Sequence, residues 1–255
     1  MNEKRIKIGG RSIDLLGLGT WNLNGRNCIR TVASALNMGY RHLDTAQMYG
    51  NEDEVGKGIN ESGVDREEVF VTTKVSTSNL DPDSIRSSTG KSLEKLGTID
   101  LLLIHWPTPR MDLEACLAAM FRLRDEGKIR DVGVSNFSPE LFRRSLDLGE
   151  VICNQVEFSP YQHQDGNLEV AKDAGIMITA YSPLAKGKAG RDHTLKEIGE
   201  KHGKSAAQVA LRWLLQQGNV SVIPKASSDK HLEENMGIFD FELNGEELEK
   251  VSSLA

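Results

Sequence analysis

Four residues of the 255-residue chain carry groups that an apolar strand does not want: Asp44, Tyr49, Lys74 and His105. Asp44 closes the run GYRHLD, Lys74 closes VFVTTK, His105 closes DLLLIH, and Tyr49 follows Asp44 by five positions. A carboxylate and an ammonium placed together in a low-dielectric ring survive only as a pair. A free phenol titrates at about 10, too weakly acidic to share its proton readily at neutral pH, and a nearby cation lowers that value. In this arrangement Lys74 supplies the cation and Asp44 keeps it protonated and aimed. Tyr49 then donates a proton to an oxygen that is gaining negative charge, while His105 hydrogen-bonds the same oxygen.

Each residue alone has a plainer explanation. A strand lysine is usually a snorkelling surface residue, a strand-end histidine a hydrogen-bonded structural group, and a tyrosine ordinary packing. An Asp44–Lys74 ion pair could lock a barrel without doing chemistry. That reading leaves the phenol and the imidazole at the same rim without a role. Barrel chemistry alone also permits a Schiff-base aldolase built on Lys74, but this needs a neutral amine, whereas Asp44 would keep the amine charged.

The elements that position these groups are announced by a recurring phrase, in which a helix-like segment ends at a glycine and a short aliphatic or β-branched run follows. It occurs seven times, as NMG-YRHLD, ESG-VDREEVFVTT, KLG-TIDLLLIH, DEG-KIRDVGVS, DLG-EVICNQVE, DAG-IMITAYS and QQG-NVSVIP. Glycine suits the left-handed position that closes a helix, so each phrase reads as helix, cap, strand. Between the strands lie amphipathic segments, with Ile29, Val32, Ala33 and Leu36 on one face and Ala206, Val209, Ala210, Trp213 and Leu214 on another. Strands separated by helices imply right-handed crossovers and a parallel sheet. With the run Leu15 to Leu18 as the first strand, eight β/α units in this length predict an α/β fold, a single (β/α)8 TIM barrel domain over residues 1–255. An open doubly wound sheet is the alternative. KRIKI-GG-RSIDLL reads as an N-terminal β-hairpin able to plug the bottom of the barrel. Reactive groups of a barrel belong at the C-terminal strand ends. The remaining strands end on Ser135 and Asn136, on Asn154, Gln155 and Glu157, on Tyr181 and Ser182, and on Pro224 and Lys225.

Composition excludes several classes of function. A net charge of -6 with scattered lysines and arginines offers no basic stripe for nucleic acid. The N-terminus has no apolar signal region, and the longest aliphatic run, Leu101 to Ile104, is far below a bilayer span, so no membrane partner is expected. Cys28, Cys116 and Cys153 stand apart without flanking histidines, suggesting neither a metal site nor disulfides, and fitting a cytoplasmic protein.

The motifs together resemble the aldo-keto reductase family, in particular short-tailed members similar to 2,5-diketogluconate reductases. The likeness runs from the hairpin and GLGTW through GYRHLDTAQMYGNE, VFVTTKV, DLLLIHWP, VGVSNF, NQVEFSPYQ, AYSPLA and VIPKAS to FDF. It implies an NAD(P)H-dependent oxidoreductase that reduces aldehyde or ketone carbonyls by hydride transfer, binding NADPH without a Rossmann domain and acting as a monomer. It assigns the catalytic roles to Asp44, Tyr49, Lys74 and His105, and substrate contacts to Trp21, Tyr49, His105 and Trp106. Carried over in the same way, Ser135, Asn136 and Gln155 hold the carboxamide, Tyr181 stacks on the nicotinamide, and Gly19, Thr20, Trp21 and Asp44 line its bed. Ser182 and Leu184 lie along the pyrophosphate. Lys225, Ser227 and Ser228 meet the 2'-phosphate, while Glu234 and Asn235 meet adenine. Where NADPH-specific relatives carry an arginine, this chain has His231, whose neutral imidazole offers one donor and little charge. NADPH is expected to remain preferred through Lys225, with more NADH use than an arginine would permit. The short WPTPRMDL connection and the end at Ala255 lead to the expectation of an open pocket and loose selectivity for small carbonyls. The family also contains cofactor-binding regulatory subunits of channels, which would make the protein a binding module.

Overall fold

A computed structural model describes residues 4–255 and opens on the hairpin. β1 (Arg5–Ile8) and β2 (Arg11–Asp14) pair antiparallel across Gly9-Gly10, whose φ angles of 55° and 78° suit glycine in a two-residue turn. Eight strands follow: β3 (Leu18–Gly19), β4 (His42–Asp44), β5 (Phe70–Val75), β6 (Leu101–Ile104), β7 (Asp131–Ser135), β8 (Cys153–Glu157), β9 (Met177–Tyr181) and β10 (Val220–Val222). They are parallel and bonded in chain order.

The sheet closes on itself. Leu16 bridges to Val222, the Gly17 N–H donates to the Val222 carbonyl at 2.9 Å, and the Gly19 N–H donates to Pro224 at 3.3 Å. Closure needs the glycine, because a Cβ at Gly19 would stand 2.6 Å from the Ile223 carbonyl oxygen. The structure is therefore a (β/α)8 barrel and not an open sheet.

Helices α1 (Gly25–Asn37), α2 (Glu52–Ser62), α3 (Pro82–Leu96), α4 (Leu113–Asp125), α5 (Pro139–Leu148) and α6 (Asp165–Ala174) each join one strand to the next. Asp81, Asp112 and Ser138 accept from backbone N–H groups at the starts of α3, α4 and α5, satisfying donors that a helix otherwise leaves free. The crossover from β9 to β10 holds two helices, α7 (His193–His202) and α8 (Ala206–Leu215). Only the second ends at one of the glycines that announce a strand. A capping box formed by Ser205 and Gln208 restarts the chain as α8. After β10 come α9 (Asp229–Met236) and α10 (Gly245–Ser252).

The apolar face of α1 is turned from its expected position. Cys28, Val32, Ala35 and Leu36 are buried, whereas Ile29 and Ala33 are half-buried. Helix α2 packs on α1 so closely that a Cβ on Gly58 would lie 2.8 Å from the Ile29 carbonyl oxygen and 2.7 Å from Val32 Cβ. Among the described residues no helix is long and apolar enough to cross a membrane.

Strand alternation divides the core in two. Outward residues such as Leu43, Val71, Val75, Leu102, Ile104, Val132 and Val134 join the main cluster under the helices. Inward Leu101, Leu103, Cys153 and Met177 form a second cluster with Ile8, Ile13 and Ile152, so the hairpin fills the N-terminal end of the barrel. Ile13 is fully buried there, and burying such a side chain contributes about 2 kcal/mol. By the same period His42 and Asp44 on β4, and Thr72 and Lys74 on β5, point inward. The lower barrel is apolar and the upper barrel polar.

Candidate active site

At the upper end the buried ammonium of Lys74 donates to Asp44 Oδ1 at 2.6 Å, to the Thr45 carbonyl at 2.8 Å and to Tyr49 Oη at 3.4 Å. The second oxygen of Asp44, Oδ2, accepts from Gln155 Nε2 at 2.7 Å. Asp44 and Lys74 come from neighbouring strands, whereas Tyr49 stands on a 3-10 turn, Gln47–Tyr49, just above β4. That turn is pinned by the buried Asn51. Its amide donates to the carbonyls of Thr20 and Leu23 at 2.8 Å each, and its oxygen accepts from Thr45 Oγ1 at 2.8 Å. Glu52, also buried, accepts from Thr73 Oγ1 at 2.6 Å on the outer face of β5 and pairs with Lys95. The polar burst after β4 thus carries two anchoring residues besides the carboxylate and the phenol.

Burial disfavours the charged form of Lys74, but Asp44 and then Tyr49 outweigh it, and the ammonium is held above its ordinary pKa. For Tyr49 the balance falls the other way. Burial raises the phenol and Lys74 lowers it, and the net shift is upward. The expectation of a net lowered phenol is thus corrected: the cation acts in the expected direction, but desolvation of the phenolate is larger. Tyr49 is therefore a protonated phenol at neutral pH. His105 lies with its ring edge-on to Tyr49, centroids 5.7 Å apart. Burial, and next the Lys74 charge, push its pKa down to about 4, so the imidazole is neutral at physiological pH. Its Nδ1 is buried without a protein partner.

A cleft of about 370 Å³ opens above this group, with Tyr49, His105, Asp44 and Gly19 in its walls. Trp21 and Trp106 stand at the mouth, and together with Met48 they are the exposed large apolar side chains among the described residues. One wall is a hydrogen-bonded relay. Ser135 Oγ donates to the Gln155 carbonyl at 2.8 Å, Asn136 Nδ2 donates to Ser135 Oγ and to the His105 carbonyl at 3.0 Å each, and Tyr181 Oη donates to Asn136 Oδ1 at 2.8 Å. The rim is conformationally demanding: Asn22, Asn136, Ser182, Ala185 and Lys186 all have φ between 46° and 63°, a region costly for side-chain-bearing residues.

Ser182, Lys225, Lys186, Glu157 and Ile223 complete the lining. Lys186 and Ile223 were not singled out from the sequence. Lys186 enters the cleft through an unusual backbone turn, which no local residue pattern announces. Thr20 lies outside the cleft, where its N–H and Oγ1 donate to the Asp44 carbonyl at 3.0 and 2.9 Å. Half-buried Leu184 packs against the main core. Ser228 caps α9 by accepting from the His231 N–H, Ser227 and His231 are exposed, and Glu234 is half-buried. Asn235 is buried, and nearby Tyr40 Oη donates to the Leu232 carbonyl at 2.9 Å. Of the segment that follows β10, Lys225 lines the cleft, whereas Ser227, Ser228, His231, Glu234 and Asn235 do not. No cluster of three or more metal-ligating side chains occurs among the described residues.

Known proteins resemble this chain in sequence and in fold. Glyoxal reductase of Bacillus subtilis is 41% identical over 250 residues, spanning 96% of this chain and 90% of its own length. Methylglyoxal reductase DkgB of Escherichia coli is 39% identical over 250 residues, spanning 95% and 93%. A crystal structure described as a 2,5-diketo-D-gluconic acid reductase B superimposes with a TM-score of 0.96 at 42% identity, over 98% of this chain and 91% of the other. Residues 15–255 match the Aldo/keto reductase family, so a barrel that buries a lysine–aspartate pair beneath a tyrosine and a neutral histidine belongs, by sequence and by fold, to the aldo-keto reductases.

Proposed function

We propose that the protein reduces aldehyde or ketone carbonyls to alcohols with a reduced nicotinamide nucleotide, preferring NADPH. The observation that carries this reading is the Lys74 ammonium, 3.4 Å from Tyr49 Oη and 2.6 Å from Asp44. The cleft suits the cofactor chemically. A hydroxyl and two amides, from Ser135, Asn136 and Gln155, suit a neutral carboxamide, the Tyr181 ring suits a planar heterocycle, and Lys186 and Lys225 suit phosphates.

When bound, the nicotinamide supplies a hydride to the carbonyl carbon. The protein manages the oxygen. Tyr49 Oη gives its proton to the developing alkoxide, and the Lys74 ammonium stabilises the phenolate left behind. Asp44 keeps that ammonium charged, which also disfavours a Schiff-base role for Lys74. Neutral His105 donates one N–H to the carbonyl oxygen and fixes which face of the carbon is presented. The relatives act by name on glyoxal and methylglyoxal, which supports small aldehydes and dicarbonyls as the substrate class here. His231, in place of an arginine fork, leaves the 2'-phosphate clamp to Lys225, Ser227, Ser228 and the α9 N-terminus, so measurable NADH use is expected.

Mixing the protein with NADPH and a panel including methylglyoxal, and following absorbance of the reduced nicotinamide, tests the reading. Turnover should collapse in Tyr49→Phe. Unchanged turnover in that variant would remove Tyr49 as the acid. An NADPH preference above about a thousandfold in kcat/KM, about 4 kcal/mol, would contradict the weakened clamp.

A further inference from the structure

We propose that Gln155 is a positioning residue for the proton donor, acting through Asp44. The inference rests on Tyr49 being the acid, as proposed above. Gln155 and Asp44 lie 111 positions apart, on β8 and β4, strands that are not neighbours in the sheet. Their contact therefore spans the barrel interior. Both residues are at most 2% exposed, and Nε2 lies 2.7 Å from Oδ2.

The carboxylate is held from two sides, by Lys74 on Oδ1 and by Gln155 on Oδ2. A hydrogen bond to an ionised group stabilises the charged form and fixes its plane. Without the Gln155 donor, Oδ2 is a buried acceptor with no hold on it, and the carboxylate is free to turn about its Cβ–Cγ bond. Lys74 follows Asp44, and the 3.4 Å approach of Lys74 to Tyr49 follows Lys74. The Gln155 backbone is fixed as well, because its carbonyl accepts from Ser135 Oγ and from the Asn136 N–H at 2.8 Å each. The same side chain lines the cleft. Whatever its amide oxygen binds there is joined to the acid through three successive contacts, Gln155 to Asp44 to Lys74 to Tyr49.

A double-mutant cycle tests this with Gln155→Met, which keeps length and volume but removes the donor, and Asp44→Asn, singly and combined. With NADPH and methylglyoxal, Gln155→Met should lower kcat about tenfold while KM for the carbonyl moves less than about twofold. In the Asp44→Asn background the same change should cost less than about twofold. Equal fold-losses in both backgrounds would overturn the proposal. A second cycle, by chemical unfolding without any nucleotide, should show a coupling of about tenfold in the folding equilibrium, about 1.4 kcal/mol. Gln155→Glu supplies the rescue: beside Asp44 the introduced carboxyl has a raised pKa, and once protonated it can donate to Oδ2. Its kcat relative to wild type should recover as pH falls, and a ratio independent of pH would count against the role. Wild-type turnover with no coupling in either cycle overturns the role of Gln155 and leaves the carbonyl-reductase reading intact. Coupling in the unfolding cycle with no wild-type turnover on any carbonyl overturns that reading, and this proposal with it.

Discussion

Replacing Asp44 by Asn measures how far the buried ammonium depends on its carboxylate. The side chains of Lys74 and Asp44 are 1% and 2% exposed and meet at 2.6 Å. Removing one partner of such a pair leaves an uncompensated charge and costs about 3–5 kcal/mol. Two acceptors remain to Lys74, the Thr45 carbonyl and Tyr49 Oη, and the new amide keeps a carbonyl oxygen, so the lower end of that range, about 3 kcal/mol, is expected. For a chain of this size each kcal/mol moves Tm by about 2–4 °C, giving a drop of about 6–12 °C at pH 7. The pH dependence is a second signature. In the wild type the raised Lys74 pKa means that its stabilising contribution is complete below the unfolded value of 10.5 and is lost as pH climbs through the folded value. In the variant, burial acts on Lys74 without the carboxylate and the folded pKa drops below 10.5. The unfolded chain then binds the extra proton, and stability should rise as pH approaches 10.5. Calorimetric melts at pH 7 and pH 9.5, paired with kcat for methylglyoxal, read both effects. A Tm within about 2 °C of wild type, with kcat unchanged, would show that Lys74 holds its proton without Asp44.

His105, pushed from 6.5 to about 4, takes its proton more readily when unfolded, so stability should fall as pH drops from 6.5 towards 4. The full contribution is about 3 kcal/mol, and urea titrations of His105→Gln should show a flatter slope over that window. His231→Arg supplies a guanidinium fork for phosphate and should raise the NADPH to NADH ratio of kcat/KM about tenfold, and an unaltered ratio would place the 2'-phosphate elsewhere. Gly19→Ala forces a methyl group against the Ile223 carbonyl at the barrel seam and should destabilise by about 1–3 kcal/mol in urea unfolding; a neutral result would mean that the seam yields freely.

The parts of this structure that follow local rules are legible in the chain. Gly9-Gly10 announces the hairpin turn, and glycine-ended helices followed by aliphatic runs place Asp44 and Lys74 at strand ends and Gln155 on a strand with Asn154 and Glu157. What depends on distance through space is not legible. The contact of Gln155 with Asp44 crosses the barrel interior, and periodicity carries no information about which inward residues meet there. The face that α1 buries depends on its packing against α2 and the barrel, and α7 has no strand-announcing glycine because Gly203 leads into another helix. The sign of the Tyr49 shift depended on how deeply the fold buries the phenol, which the pairing of residue types does not state.

The seam that joins Leu16 to Val222 ties the order of synthesis to the order of folding. Until the last strand has emerged, β3 has no second neighbour and the ring stands open to water. A chain ending before β10 would leave β3 and β9 each without one strand neighbour, and bare strand edges invite aggregation. Deleting residues from about 216 onward should therefore not yield a slightly weaker enzyme. It should yield a sticky one.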